Sequence, residues 1–167
     1  MVLWFLVISI TAMVLHILLL KERPAKKILE IILLYSLVII FGLGNLLAGA
    51  FHVFNGPATA RMIGWESGSP FQYEVGIADM AFGLLGFLCL FIRGNFWLAT
   101  ILANSFFLFG CMLGHVRNLV ATGNVAAYNI GPNILFTDLI LPLVIIGLYI
   151  VYKRLPDAYG SRYSFNQ

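Results

Sequence analysis

Charged side chains are scarce in this chain of 167 residues. Asp, Glu, Lys and Arg make up 10% of the sequence, against about 25% in soluble domains, while hydrophobic residues make up 61%. With so few charges the chain cannot form the polar surface of a soluble globular protein, and that class is excluded. The composition predicts instead a single integral membrane domain over residues 1–167, with the lipid bilayer as its surroundings.

Cysteine is also rare. The two cysteines, Cys89 and Cys111, fall inside apolar runs at predicted depths too far apart for a disulfide, and neither shows metal-ligand spacing. The formal net charge of +3 does not indicate a nucleic-acid partner, because the basic residues lie beside apolar runs rather than on one soluble face. A disulfide-stabilised fold and a nucleic-acid-binding protein are therefore not expected.

Long apolar runs are what the chain does have, and each can cross a bilayer as a helix. We predict an all-α polytopic bundle of about five spans, at residues 2–20, 28–54, 71–92, 96–120 and 133–152. Basic residues crowd the first loop, the third loop and the tail. The positive-inside rule therefore predicts the N-terminus outside and the C-terminus in the cytoplasm of a multi-pass cell-membrane protein. These residues are Lys21, Arg23, Lys26, Lys27, Arg93, Lys153, Arg154 and Arg162.

Small and polar residues recur at helical spacing on three of the predicted spans, a pattern typical of close helix packing in membranes. On the third span they form a glycine seam of Gln72, Gly76, Asp79, Gly83 and Gly86. The second span has a contact stripe of Asn45, Ala48, Gly49 and His52, and the fourth has a GxxxG pair of Gly110 and Gly114. We expect each set to face another helix. A short interfacial helix is also predicted over residues 57–63.

Ionisable and amide side chains collect in the outer third of the predicted bundle, whereas the inner half has almost none. Because such groups are costly at membrane depth, they predict a pocket that opens outward rather than a continuous path for protons or ions. The expected ligand-binding residues are His52, Glu74, His115, Asn118 and Asp138. The expected structural polar contacts are Asn45, Asp79 and Arg117.

Asp138 stands one helical turn before Pro142. Proline at that spacing frees the carbonyl of residue 138 from its usual helical bond, which places an acidic side chain and an available carbonyl at the same level.

Four interpretations of this polar region stay open. A metal ion could be held by His52, Glu74, His115 and Asp138, although each ligand comes from a separate helix. A quinone or another amphiphile could bind in the outer leaflet, with a histidine bonding its carbonyl and Asp138 handling the proton. Haem between His52 and His115 is a weaker hypothesis. The last is a non-catalytic structural or assembly subunit whose polar groups only hold helices together, and whose glycine faces join it to a homo-oligomer or membrane complex. The sequence does not decide whether the protein is an enzyme.

Two blocks of the sequence carry a resemblance, namely IGWESGSPFQYEVGIADMAFGLLG and GHVRNLVATGNVAAYNIGP. Over about half of the chain it resembles an uncharacterised family of small bacterial and archaeal polytopic membrane proteins. The last four predicted helices are also similar in outline to DoxX-like proteins, four-helix bundles of which some members are tied to quinone-linked redox. The resemblance implies a compact helical bundle in a redox setting, and no catalytic residue is carried over from it.

Overall fold

In a computed structural model the described part of the chain, residues 2–156 with side chains from Val7 onward, is entirely helical apart from its connections. Its six helices are α1 (Val2–Leu19), α2 (Ala25–Phe54), α3 (Gly56–Ile63), α4 (Phe71–Leu88), α5 (Asn95–Thr122) and α6 (Ala127–Arg154). The short helix α3 confirms that residues 57–63 are helical, and its position at the membrane interface stays a prediction. Arg162, one of the basic residues of the predicted cytoplasmic tail, lies outside the described residues.

Three of the helices, α2, α5 and α6, are long and apolar enough to cross a membrane. Residues Val7–Leu19 of α1 form a shorter apolar helix, and α4 has 18 residues, or about 27 Å at 1.5 Å per residue. The expectation of a helical membrane protein is therefore supported. Helix α4 ends at Leu88 rather than at residue 92, because the chain turns through Cys89 and continues to the positive-φ Gly94.

Two helices contain π-helical turns. In α2 the turns extend over Ser36–Gly44, and in α6 they extend over Phe136–Ile140, directly before Pro142. Because proline has no backbone N–H, it cannot complete the regular bonding of the preceding turn, which explains the second segment. Asp138 therefore lies in an irregular part of its helix, as its spacing from Pro142 predicts. Helix α6 also starts earlier than expected, with a first turn at Ala127–Ile130 and a bend at Gly131.

Helices α2 and α4 pack with their backbones close together along the glycine seam. A Cβ atom added at Gly76 would lie 2.8 Å from the carbonyl oxygen of Gly49, and one added at Gly86 would lie 2.6 Å from the backbone nitrogen of Gly42. All five seam residues are buried. The predicted contact of the seam with another helix is thus confirmed, and its partner is α2.

The GxxxG pair behaves differently. A Cβ atom added at Gly110 or Gly114 would meet nothing within 4 Å in the described residues, and Gly110 is exposed. Within the described residues this pair therefore meets no other helix, and its packing against a neighbouring protomer stays a prediction. The buried residues of α5 are instead those that face α6 and the centre of the bundle, including Asn104, Leu108 and Met112.

An apolar core occupies the end of the bundle opposite α3, and we call this end the apolar end. Its buried members include Leu33, Leu37, Cys89, Trp97 and Tyr149. Trp97 Nε1 donates to the carbonyl oxygen of Cys89 at 3.0 Å, which ties the start of α5 to the end of α4. Helices α2, α5 and α6 join here through side-chain packing, and the Tyr35 hydroxyl of α2 lies 3.4 Å from His16 Nδ1 of α1.

Basic residues gather at this same apolar end. Arg93 lies 3.7 Å from Glu30 and 4.8 Å from the centre of the Trp97 ring, and Lys26 lies 5.5 Å from the centre of the Tyr152 ring. These contacts bring the α1–α2 loop, the α4–α5 loop and the end of α6 together. The three basic clusters of the sequence consequently share one end of the bundle.

Candidate ligand site at the polar end of the bundle

The opposite end carries most of the buried polar side chains, and we call it the polar end, defined by His52, Trp65, His115 and Asn129. His115 belongs to α5 and is 8% exposed. Its Nδ1 lies 2.9 Å from Oδ1 of Asn129, and its ring stacks on the Trp65 indole with the ring centres 5.4 Å apart. One ring face and one ring nitrogen of His115 are therefore occupied by protein.

Asn129 sets the proton position on His115. Its Nδ2 donates to the carbonyl oxygens of Asn124, at 2.9 Å, and of His115, at 3.4 Å. Because the amide nitrogen is committed to these acceptors, Oδ1 must be the atom that faces the imidazole, so Nδ1 of His115 carries the proton. In the neutral ring Nε2 then presents a lone pair, and no described residue donates to it.

Asn124 holds the loop between α3 and α4 over this histidine. Its Nδ2 lies within hydrogen-bond distance of the carbonyl oxygens of Ile63 and Gly64 and of Asn118 Oδ1, at 2.8, 3.3 and 2.8 Å. Gly64 has a φ of 79°, and a Cβ atom there would meet the Asn124 amide at 2.6 Å. Glycine is thus required at this close approach. The hydrogen bonds of Asn124 to Ile63 and Gly64 thus position the adjacent Trp65 on the His115 ring.

A groove opens beside this cluster, where α2 ends and α4 begins. It has a volume of about 330 Å³ and is lined by His52, Gln72, Ser69 and Tyr73 among others. His52 Nδ1 lies 2.7 Å from Gln72 Oε1. Gln72 is 5% exposed and His52 is half-buried, so the pair forms the polar wall of an otherwise largely apolar groove. His52 and His115 lie within electrostatic range of each other.

Two acidic side chains lie in the interior near the histidines. Asp79 of α4 and Asp138 of α6 are 8% and 7% exposed, and they lie within electrostatic range of each other and of Cys111. Asp138 is also in range of His115 and accepts a hydrogen bond from Thr137 at 2.6 Å. The ion pairs of the described residues, Lys27–Glu30 and Arg93–Glu30, include neither aspartate. Neither buried carboxyl group therefore forms an ion pair with a described cationic side chain.

Asp79 and Glu74 differ from the expectation in their placement. Glu74, expected in the pocket, is exposed in the first turn of α4, and it does not line the groove. Asp79, expected as a structural contact, is buried near Asp138 and forms no hydrogen bond with a described residue. The reason is helical geometry, since Asp79 lies on the glycine seam that α2 covers whereas Glu74 lies on the neighbouring stripe.

Three further predicted residues have clear positions. Asn45 Nδ2 donates to Asn104 Oδ1 at 2.8 Å, which links α2 to α5. Asn118 holds Asn124 and through it the loop above His115. Arg117 is exposed and pairs with no described acid, because it points away from the face that carries His115 and Asn118.

The four residues expected to bind a metal ion do not come together as a metal site in the described residues. Within residues 7–156, no group of three or more His, Cys, Asp or Glu side chains is arranged to hold a metal ion. The exposure of Glu74 removes one of the four expected ligands from the interior. His52, His115 and Asp138 do lie at the same end of the bundle.

Several important residues of the polar end escaped the sequence analysis as site residues. These are Trp65, Gln72, Asn124 and Asn129. Gln72 was recognisable as part of the glycine seam, and the uncharged loop before α6 carries both asparagines, but sequence spacing alone does not pair a loop amide with a distant histidine. Trp65 Nε1 is buried without a hydrogen-bond partner among residues 7–156.

Apolar helices that enclose buried polar groups define the chain as a helical membrane protein. Over residues 1–158 it matches the model of a family of unknown function, DUF6790, and it belongs to that family. The expected membership of an uncharacterised family is therefore confirmed, while the DoxX-like outline stays a prediction. Comparison with curated proteins and with solved structures gives no match.

Proposed function

We propose that this protein is a cell-membrane protein whose polar end binds a small quinone-like redox ligand, as part of a membrane redox system. The observation that carries the proposal is the pair of buried carboxyl groups, Asp79 and Asp138, of which Asp138 lies within electrostatic range of His115. Acidic groups at membrane depth are expensive, and those kept there commonly serve ligand or proton handling. A histidine next to an acid is the combination that a ligand exchanging protons requires.

The groove supplies the entry for such a ligand. Its volume of about 330 Å³ lies at the lower end of the range for small-molecule sites, about 300–1,000 Å³. His52 and Gln72 give it a polar wall, and aromatic side chains of Trp65 and Phe71 stand in contact nearby, with ring centres 5.6 Å apart. A flat ring with polar substituents suits a groove of this kind. His115 and Asp138 do not line the groove, so they would handle the ligand's proton from the interior beside it.

The proposal includes a topology of five spans, with the N-terminus outside and the C-terminus in the cytoplasm. Its support is the grouping of Lys26, Arg93 and the end of α6 at the apolar end, because positive charge marks the cytoplasmic side. The polar end and its groove then face outward. A lipophilic ligand would enter from the outer leaflet.

A quinone-like ligand fits these residues better than a metal ion. The described residues bring no three metal ligands together, whereas they do present free imidazole nitrogens beside a groove. Haem between the two histidines has no further support. The quinone-like ligand is therefore the function that the geometry favours.

The direct test is to extract purified protein with organic solvent and identify any quinone in the extract, with elemental analysis and a haem absorbance spectrum in parallel. The protein should release a quinone, and its tryptophan emission should be partly quenched when decylubiquinone is added, because Trp65 lies near the groove. His115→Ala and Asp138→Asn should each lose this binding, whereas the exposed Glu66→Gln should keep it. The proposal would be refuted if the extract held no quinone or quinol and the protein bound neither added decylubiquinone nor added decylubiquinol.

A structural or assembly subunit is the second candidate. It is favoured by the interhelical hydrogen bonds at His52, Asn45 and Asn129, and by the exposed Gly110 face of α5, which is available to a neighbouring protomer or complex partner. For this candidate, His115→Ala should lower only folding or assembly, and ligand retention should never be observed. Size measurements of the detergent-solubilised variant separate the two outcomes.

A further inference from the structure

Both histidines of the polar end are engaged in the same way. His115 presents Nδ1 to the amide oxygen of Asn129, and His52 presents Nδ1 to the amide oxygen of Gln72. An amide oxygen only accepts hydrogen bonds, so Nδ1 of His115 carries the ring proton. With Gln72 Oε1 as the atom that faces the ring, Nδ1 of His52 carries its proton too. Each neutral imidazole is therefore held in the tautomer whose Nε2 is an acceptor.

Neither Nε2 atom is used by the protein. No described residue donates to either one. Three side-chain atoms in residues 7–156 are fully buried without a partner, namely Trp65 Nε1, Thr100 Oγ1 and Ser105 Oγ. Neither histidine Nε2 atom is among them, so both are accessible from outside the protein. The polar end thus offers a ligand two hydrogen-bond acceptors from histidine.

We propose that the site selects the reduced, hydroxyl-bearing form of its ligand, a quinol, over the oxidised quinone. A quinol donates hydrogen bonds through its two O–H groups, whereas a quinone has only carbonyl oxygens, which accept. A quinone oxygen placed against a neutral Nε2 would set two lone pairs against each other and leave both unpaired. This inference rests on the proposed function, and it assigns Gln72 and Asn129 the role of positioning residues.

Asp138 does not hold His115 as an imidazolium through an ion pair, because no such pair joins the two side chains among the described residues. Asp138 does lie in electrostatic range of His115. When the Nε2 atom of His115 takes a proton from a bound hydroxyl group, the negative charge of an ionised Asp138 would stabilise the imidazolium.

The experiment compares the affinities of the purified protein for decylubiquinol, kept reduced, and for decylubiquinone at neutral pH. We expect the quinol to bind at least about 10-fold more tightly, since one unpaired acceptor has a cost of this order.

In Gln72→Glu the added carboxylate favours the doubly protonated imidazolium of His52, whose Nε2–H donates. The ratio of affinities should then fall about 10-fold. Gln72 Nε2 bonds no described residue, so this substitution removes no other contact.

Asn95→Asp is the matched control, because it adds a carboxylate at the exposed start of α5, at the end of the bundle opposite both histidines. Its affinity ratio should equal that of the unchanged protein. If Gln72→Glu does not fold, Asn129→Asp makes the same change at His115. Equal or tighter binding of the quinone by the unchanged protein would overturn this inference and leave the proposed function standing. Failure of both forms to bind would overturn the proposed function itself.

Discussion

At the apolar end of the bundle the helices meet through side chains such as Leu33, Leu37 and Trp97, and one indole hydrogen bond ties α4 to α5. At the polar end the helices and loops meet through amides and imidazoles, with Asn129 fully buried between His115 and Asn124. Apolar contacts have no preferred direction, whereas each amide bond at the polar end fixes the orientation of a particular atom. The apolar end therefore stabilises the bundle, and the polar end determines which atoms a ligand would meet.

Between the two ends, the glycine seam sets how closely α2 and α4 approach. Their contact depends on missing side chains at Gly42, Gly49, Gly76 and Gly86 rather than on any bond. The loss of water does not drive helices together within lipid, so close packing of backbones is a main source of their association. The two ends keep their relative position because this seam is tight.

The largest effect is expected from Gly86→Ala. The new methyl group would lie 2.6 Å from the backbone nitrogen of Gly42 and 2.7 Å from the carbonyl oxygen of Leu37, and backbone atoms cannot yield easily. We expect the free energy of unfolding in mixed micelles to fall by about 3 kcal/mol. Gly110→Ala is the matched control, because its methyl group meets nothing within 4 Å, and its stability should be unchanged or higher by up to about 1 kcal/mol. Equal losses in the two variants would contradict the packing described here.

A smaller loss is expected from Asn129→Ala. The substitution leaves His115 Nδ1 and the carbonyl oxygen of Asn124 without their partner in a buried site, at a cost of about 2 kcal/mol. Ligand binding should fall with stability, since His115 also loses its orientation. Thermal unfolding and decylubiquinol titration measure the two effects. The exposed Asn133→Ala should change neither, because Thr137 bonds only its backbone oxygen.

Trp97→Phe tests the apolar end. It removes the hydrogen bond to the Cys89 carbonyl oxygen while keeping an aromatic ring near Arg93, so we expect a loss of about 1 kcal/mol in stability. Ligand affinity should stay the same, because no residue of the polar end contacts Trp97. A large change in affinity, measured by titration at a temperature where the variant is folded, would show that the two ends are not separate in function.

The smallest effect is expected from Glu74→Gln. Glu74 is exposed and does not line the groove, so neither stability nor ligand affinity should change beyond measurement error. Asp79→Asn is the comparison to make beside it, since Asp79 is buried near Asp138 and its replacement should alter binding. If Glu74→Gln abolished binding and Asp79→Asn did not, the site would lie on the outer surface of α4 instead.

Much of the helical framework was predictable, because apolar runs and helical spacing report directly on which residues face a neighbour. The glycine seam of α4 and the contact stripe of α2 are examples, and their mutual packing follows from complementary small residues. For Gly110 and Gly114 no such partner helix is found within the described residues. A pair of small residues allows another helix to approach that face of α5 closely. It does not indicate whether a helix of the same chain packs there.

The site was predictable only in part. Sequence reasoning placed His52, His115 and Asp138 at one end of the bundle because membrane depth follows from position along a helix. It could not find the amides that orient the histidines, since Asn124 and Asn129 come from a loop whose path no periodicity describes. It also could not decide whether Glu74 or Asp79 is the buried acid, because burial depends on which stripe of α4 another helix covers.

By itself the sequence determined the class of protein, the helical framework and the concentration of polar groups in one region. Composition and hydrophobic run length decide these, and both are local properties of the chain. Only the tertiary structure decided that Asn129 and Gln72 bond the two histidines through Nδ1, and that Asp79 rather than Glu74 stands near Asp138. Hydrogen-bond direction and side-chain burial depend on contacts between residues far apart in sequence, and these contacts exist only once the helices have packed.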